Sequence, residues 1–305
     1  MNIGVIGGSG FIGSHVVDKL IEAGHNVTIF DIMKPQRDDV RHIYIDITDL
    51  SKTTVALTGG YDAIYLLAAM ADVNDVYKNP VEAGEVNIMA VAHILEAARR
   101  SEIPRVILAS TVWVYEMAKE TNVTEDTPLL PGKANHVYTA SKLAAELYCH
   151  SYHKLYNQQF TILRYGIPYG PRARGGTVIA AFVKRALNGE PLTIFGDGSQ
   201  YRNFIYVADL ALGNVAALKE IAKNQTYNLE GIRPVTIKEV AETVKKLLGN
   251  VAVEYKEARA GDYEGKVVSA ERARRELAWE PQVDLEEGVA RYIQWYKDKE
   301  TSRRP

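Results

Sequence analysis

Cysteine is nearly absent: Cys149 stands alone in 305 residues. No internal disulfide can form, so the fold rests on its core, as is usual in a reducing compartment. A charge excess of either sign is missing too. The 36 Lys and Arg face 38 Asp and Glu, a formal net charge of −2, which gives no basis for attraction to nucleic acid or to an anionic membrane. No uncharged apolar run is long enough to span a bilayer, and Met1 leads directly into a strand-like segment with no leader pattern before it. A cytoplasmic protein without a membrane partner is expected. The seven histidines show no metal-ligand spacing; His150 and His153 share a helical segment but lack a third partner, so no metal site is expected. Internal repeats and low-complexity tracts are also lacking.

What is present is an ordinary globular composition, 47% hydrophobic and 24% charged, long enough for one large domain or two sharing a cleft. Apolar runs alternate with helical patterns: NIGVIG, a helix near 11–24, NVTIF, HIYID, AIYLLAA, a helix near 80–100, RVILAS, a long helical pattern from about Asn135, and FTILRYG. Such runs separated by helices predict βαβ units and a parallel sheet covered on both faces. From about residue 167 the texture changes to Pro, Gly and Arg clusters, IPYGPRARGG and FGDGSQYRN. We therefore expect an α/β protein with a doubly wound parallel sheet over residues 1–166. A smaller α/β region over 167–305 follows, with loops facing the carboxyl edge of the sheet, and segments near 204–229 could return to the first region.

The segment VIGGSGFIGSHVVDKL places Gly7, Gly10 and Gly13 between a strand and a helix that opens at Phe11 and Ile12. Glycines so placed permit a tight turn, let backbone approach a pyrophosphate and pack helix against strand, with the helix N-terminus facing the phosphates. Gly-rich turns of this kind also exist merely to turn. Here a second strand follows and ends at Asp31, an acid placed to accept from ribose hydroxyls and to repel a 2′-phosphate, which favours NAD over NADP.

Two tyrosines have a lysine four residues on, Tyr115 with Lys119 and Tyr138 with Lys142. The first pair follows a strand end, in STVWVYEMAKE. The second lies in the helical pattern, where a four-residue spacing puts both side chains on one face. That helix also carries the stripe Val137, Ala140, Ala144, Leu147, Ser151 and Leu155, which suits either the core of the subunit or an interface. A phenol with a pKa near ~10 needs adjacent positive charge to act as a base at neutral pH. Lys142 and an oxidised nicotinamide could supply it, and Thr111 lies upstream as a hydroxyl that could orient an alcohol.

This collection resembles the extended short-chain dehydrogenase/reductase family, and within it the NAD-dependent nucleotide-sugar epimerases and dehydratases, over nearly the whole chain. GGSGFIG is similar to its GxxGxxG, Asp46-Ile47 to its adenine-contacting pair, and Leu67-Ala68-Ala69 to the strand lining the cofactor. Asn87 fits its next helix. STVWVY resembles its Ser/Thr segment, with Thr111 at the catalytic hydroxyl; this makes Tyr115 the tyrosine of VYG, and YTASK resembles YxxSK. LRYGIPYGPR, GDGSQYRNFIYVADL, RAGD and LAWEPQVDLEEGV are similar to its later motifs.

The resemblance implies a Rossmann-type fold, NAD as cofactor, and Thr111, Tyr138 and Lys142 as catalytic residues. It also implies Ile167, Arg202, Arg259 and Asp262 at substrate positions, and a homodimer built on the helix near 80–100 and the Tyr138 helix. Departures from the family pattern are Glu116 for the Gly of VYG, Asn203 for the Asp of RDF, Ala260 for the Pro of RPGD, and Ile167 for a substrate-binding Asn. Dehydratases of the family add an Asp-Glu pair after the catalytic Thr; here those positions hold Val112 and Trp113. C4 epimerisation of a nucleotide sugar, UDP-glucose and UDP-galactose foremost, through a transient 4-keto sugar is the expected reaction. Dehydration, decarboxylation or net reduction remain alternatives, and a non-catalytic NAD-binding regulator is the alternative of another class.

Overall fold

Among the residues that the computed structural model describes, 1–249, 251–257 and 265–301, seven strands form one parallel sheet. In spatial order they are Gln225–Leu229, Gln159–Tyr165, Arg105–Thr111, Ala63–Leu66, Asn2–Ile6, Asn26–Asp31 and Arg41–Tyr44. The order of addition reverses between Asn2–Ile6 and Ala63–Leu66. The loops that leave these two strands part there and open a crevice at their carboxyl ends.

Both faces of the sheet are covered, which is why its strands read as continuous apolar runs. Alternate side chains serve opposite cores. Ile3, Val5, Ile107 and Ala109 pack with Val16, Val17 and Leu20 of the helix Phe11–Glu22. Ile6, Ile64, Val106 and Leu108 instead meet Val91, Ile94 and Leu95 of the helix Ala90–Arg100, together with Ala145 and Cys149 of the helix Val137–Tyr156. Each such side chain, fully buried, contributes about 1.5–3 kcal/mol. The lone thiol of Cys149 is thus a packed core group, pushed up in pKa by burial.

A third core gathers the helices Val178–Leu187, Ile237–Leu248 and Leu285–Thr301 around short ladders, including Phe204–Tyr206 on Ile167–Tyr169. The central sheet takes its edge strand, Gln225–Leu229, from beyond residue 167.

The segment 80–100 runs as Pro80–Gly84, a π-helical turn Glu85–Met89 and Ala90–Arg100. The Tyr138 helix begins at Val137, with His136 at its N-cap. Its stripe is no part of the subunit core: Val137 is 47%, Leu147 55% and Leu155 71% exposed. The buried face carries Thr139, Ser141, Lys142, Ala145, Glu146 and Cys149.

Candidate active site

Two glycines shape the crevice. Gly7 has φ +83°, and a Cβ there would stand 2.5 Å from the Ala68 backbone nitrogen; at Gly13 it would stand 2.0 Å from the Gly7 carbonyl oxygen. Any side chain at either position would collide with the backbone of the turn or of the loop beside it, so the turn can be this tight only with glycine. Gly10 is the N-cap of the helix Phe11–Glu22 and provides no side-chain cap, so the first N–H groups, at Phe11, Ile12 and Gly13, are free to meet an anion. Across the crevice, Leu67 and Ala68 donate their N–H groups to the Ile6 carbonyl at 2.9 and 3.1 Å, which holds the partly buried Leu67, Ala68 and Ala69 beside the turn.

Asp31 is buried at the end of its strand and accepts from the backbone N–H groups of Ser9 and Met33, both at 2.9 Å. A carboxylate has about four acceptor positions, so two remain for vicinal hydroxyls. The uncapped helix, the cradle without side chains and this acid together fit a dinucleotide. Asp46 is exposed and accepts from Thr48 N–H and Oγ1 at 3.0 and 2.7 Å, bonds that hold its carboxyl below the usual range. Ile47 is buried. The Asn87 side chain is committed within the protein: Nδ2 donates to the Met70 carbonyl at 2.9 Å and to Ser141 Oγ at 3.1 Å, and Oδ1 accepts from Met70 N–H at 2.9 Å. It ties the loop after Ala63–Leu66 to the Tyr138 helix.

The two Tyr-Lys pairs separate clearly. Tyr115 lies in the 3₁₀ turn Val112–Met117, fully buried, donating to Asn228 Oδ1 at 2.8 Å and accepting from Arg164 Nη1 at 2.9 Å. It is a core residue, and Lys119 is exposed. Tyr138 is half-buried at the start of its helix, with the Trp113 ring edge-on at 6.4 Å. Burial pushes its phenol up to about 12, while the adjacent Thr111 hydroxyl and the Arg174 charge pull the other way. Lys142, one turn on, is 6% exposed and donates to the Ala109 carbonyl at 3.0 Å. Burial pushes its ammonium down to about 8, opposed by Glu146. Thr111 ends the strand whose Ala109 anchors Lys142, and its Oγ1 accepts from Trp113 N–H at 3.2 Å. Thr111, Tyr138 and Lys142 therefore meet at one sheet edge. A phenol one helical turn from a buried cation, with a hydroxyl beside it, has the groups that proton exchange with an alcohol needs.

Ile167 begins the ladder strand beside this edge, its N–H bonded to the Asn203 carbonyl at 2.7 Å. Arg202 is half-buried in the strand Tyr201–Arg202. Arg259 and Asp262 lie outside the described residues. Glu116 accepts from Asn135 N–H at 3.0 Å and braces the entry to the Tyr138 helix. The composition and motifs gave no sign of three neighbours: Arg174, exposed and in no ion pair among the described residues; Glu146, whose i+4 spacing from Lys142 was the available signal; and Glu230. Glu230 is 2% exposed beside Gly166, and neither carboxyl oxygen has a hydrogen-bond partner among the described residues. A cavity of about 310 Å³ lies near Tyr169 and Arg233, and one of about 470 Å³ is lined by Gly8 and Ser14 beside the glycine turn together with Asp18 and Arg172. Among the described residues no group of His, Cys, Asp and Glu could hold a metal, and no helix is long and apolar enough to cross a membrane.

A model of the NAD dependent epimerase/dehydratase family matches residues 3–229. UDP-glucuronic acid decarboxylase 1 of Arabidopsis thaliana is 32% identical over 98% of this chain and 70% of its own. Among solved structures, the UDP-glucose 4-epimerase of Thermotoga maritima with UDP-glucose superposes with a TM-score of 0.91 at 30% identity, covering 98% of this chain and 99% of that one. The UDP-glucuronic acid 4-epimerase of Bacillus cereus, in complex with UDP-glucuronic acid and NAD, has a TM-score of 0.88 at 30% identity, covering 98% and 100%.

Proposed function

We infer the reaction of this site from one premise, that the chain belongs to the NAD dependent epimerase/dehydratase family of nucleotide-sugar enzymes. NAD is its cofactor. The Gly7–Gly13 turn and the N-terminus of the following helix would hold the pyrophosphate, Asp31 the ribose, and Leu67, Ala68 and Ala69 the wall of the crevice. Asp46 and Ile47 would sit toward the adenine, and Asn87 supports that wall from behind. When bound, NAD supplies the capacity to take a hydride from a sugar carbon and return it.

The reaction we propose is C4 epimerisation of a UDP-hexose, UDP-glucose and UDP-galactose first. Tyr138 takes the proton of the C4 hydroxyl and later gives it back, Thr111 orients that oxygen, and Lys142 holds positive charge beside the phenol. Arg202 and Arg259 would meet the nucleotide diphosphate, and Asp262 would join them on the substrate side, so that the region beyond 167 adds substrate contacts to those of Thr111 and Tyr138. The observation that carries epimerisation over its alternatives is the pair after Thr111. Val112 is buried and Trp113 packs on Tyr138, so neither can move a second proton, and Glu116 is held on the Asn135 N–H. A decarboxylase is the alternative with a relative behind it.

The test is incubation of the purified protein with UDP-galactose, with and without added NAD, followed by analysis for UDP-glucose. Release of carbon dioxide from UDP-glucuronate would assign decarboxylation instead. No interconversion of UDP-hexoses, UDP-N-acetylhexosamines or UDP-uronates would overturn the reading.

A second substrate reading has its own observation. Arg174 is close enough to Tyr138 to pull its phenol down and is free of counter-charge among the described residues, which suits a sugar carrying a carboxylate. A higher kcat/KM for UDP-glucuronate than for UDP-galactose, lost in Arg174→Met, would support it.

We also propose a homodimer. The exposed Val137, Leu147 and Leu155 face outward on a helix beside Pro80–Arg100, where Val81 is 75% and Met89 49% exposed, an apolar surface of the kind that marks an interface. Leu147→Glu with Leu155→Glu should halve the mass measured by light scattering.

A further inference from the structure

Behind Tyr138 and Lys142 the sheet carries a buried ion pair. Glu146, one turn past Lys142, is 2% exposed and accepts from Arg164 Nε at 3.0 Å, from Arg164 Nη2 at 2.7 Å and from Ser110 Oγ at 2.5 Å. Arg164 lies 5.0 Å over the Tyr115 ring and donates to its hydroxyl, and Tyr115 donates to Asn228. One network thus joins the catalytic helix to the strands Arg105–Thr111, Gln159–Tyr165 and Gln225–Leu229. A buried pair of this kind gives little stability over an apolar replacement, so its location asks for another account.

Lys142 supplies one. Its single recorded acceptor, the Ala109 carbonyl, is neutral, and among the described residues it has no carboxylate in direct contact. Burial works against its charge, and Glu146 acts to keep it charged. The titratable and charged groups facing Glu146 are Lys142, Cys149 and His150 on its own helix and Arg164 from the neighbouring strand. Burial keeps Cys149 and His150 toward their neutral forms, and Arg164 binds the Glu146 carboxylate through two charge-assisted bonds.

We propose that Glu146, anchored by Arg164, is a positioning residue that holds the proton on Lys142 and fixes the Lys142 helix against the strand bearing Thr111. The inference rests on the reading of Tyr138 and Lys142 as the working pair. Glu146 touches neither substrate nor cofactor; it acts through Lys142.

The experiment titrates the Lys142 Nζ by NMR in protein labelled at lysine, the resonance being assigned by its loss in Lys142→Met, and needs no substrate. Glu146→Gln should lower the midpoint by about one pH unit, a tenfold loss of proton affinity, while Glu146→Asp retains most of the wild-type value. Merely loosened packing would admit water and raise the midpoint, so an unchanged or raised value in Glu146→Gln overturns the proposal. Should Glu146→Gln fail to fold with Arg164 unpaired, Glu146→Gln with Arg164→Met removes the unpaired guanidinium, and a lowered midpoint is required there as well. Failure of the underlying reading is separate: it would appear as turnover persisting in Tyr138→Phe, whatever the titration shows.

Discussion

The Tyr115 hydroxyl donates to Asn228 Oδ1 across 2.8 Å while it accepts from Arg164, and no part of the residue reaches solvent. Tyr115 and Tyr138 share a spacing to lysine and differ in all else. Tyr115→Phe should therefore cost stability, about 1–3 kcal/mol for the buried partners left unpaired, with turnover per folded molecule largely kept. Tyr138→Phe should do the reverse, losing about 10²–10⁴-fold in kcat. Urea unfolding and turnover measured on both variants decide it; equal losses of kcat would show that the pairs were wrongly distinguished.

Gly13→Ala should abolish the cofactor cradle. The added methyl meets the Gly7 carbonyl at 2.0 Å, closer than any flexible side chain could relieve, so the turn must move. At least a tenfold weaker NAD affinity is expected by calorimetry, and an unchanged affinity would place the dinucleotide elsewhere.

Alkaline pH should silence the enzyme before tyrosine ionisation could help it. Lys142 is charged below about 8 and neutral above, so its support for the Tyr138 phenolate fades as pH rises through that value. The kcat/KM of the NAD-loaded protein should fall about tenfold per unit above pH 8. A rate still climbing at pH 10 would remove Lys142 from that role.

Glu230 should make the protein less stable as pH rises. Burial raises its folded pKa well above the ordinary value, so its contribution is fully present below the unfolded value near ~4.3 and is lost progressively as pH climbs toward the folded one. Glu230→Gln removes that proton, and its advantage over the parent should grow by about 1.4 kcal/mol per pH unit above ~4.3. Parallel stability curves at pH 4.5, 6 and 7.5 would show that the carboxyl has partners after all.

The sheet and its crevice were legible because their causes are local. Continuous apolar runs such as RVILAS can only be strands covered on both faces, and the glycines at 7 and 13 sit where a methyl has no room. Choosing between the stripe residues was not local: Val137 and Leu147 have the periodicity of a core face, and only packing revealed that the core lies on the Lys142 and Cys149 side. Glu146 and Arg164 stayed hidden for a related reason. They lie 18 residues apart, on a helix and the strand after it, and resemble surface charges until the two pack face to face. Glu230 had no signal at all, since a lone acid after a strand is ordinarily solvated.

The edge strand Gln225–Leu229, supplied from beyond residue 167, sets a condition on biosynthesis. Until it is made, Gln159–Tyr165 lacks one of its two neighbours in the sheet, and the row of backbone N–H and C=O groups on that side has no strand to pair with. That is an adhesive edge. Whatever emerges from the ribosome first must wait, guarded or soluble by luck, for a late segment to close it, and a fragment ending near residue 166 should aggregate rather than fold.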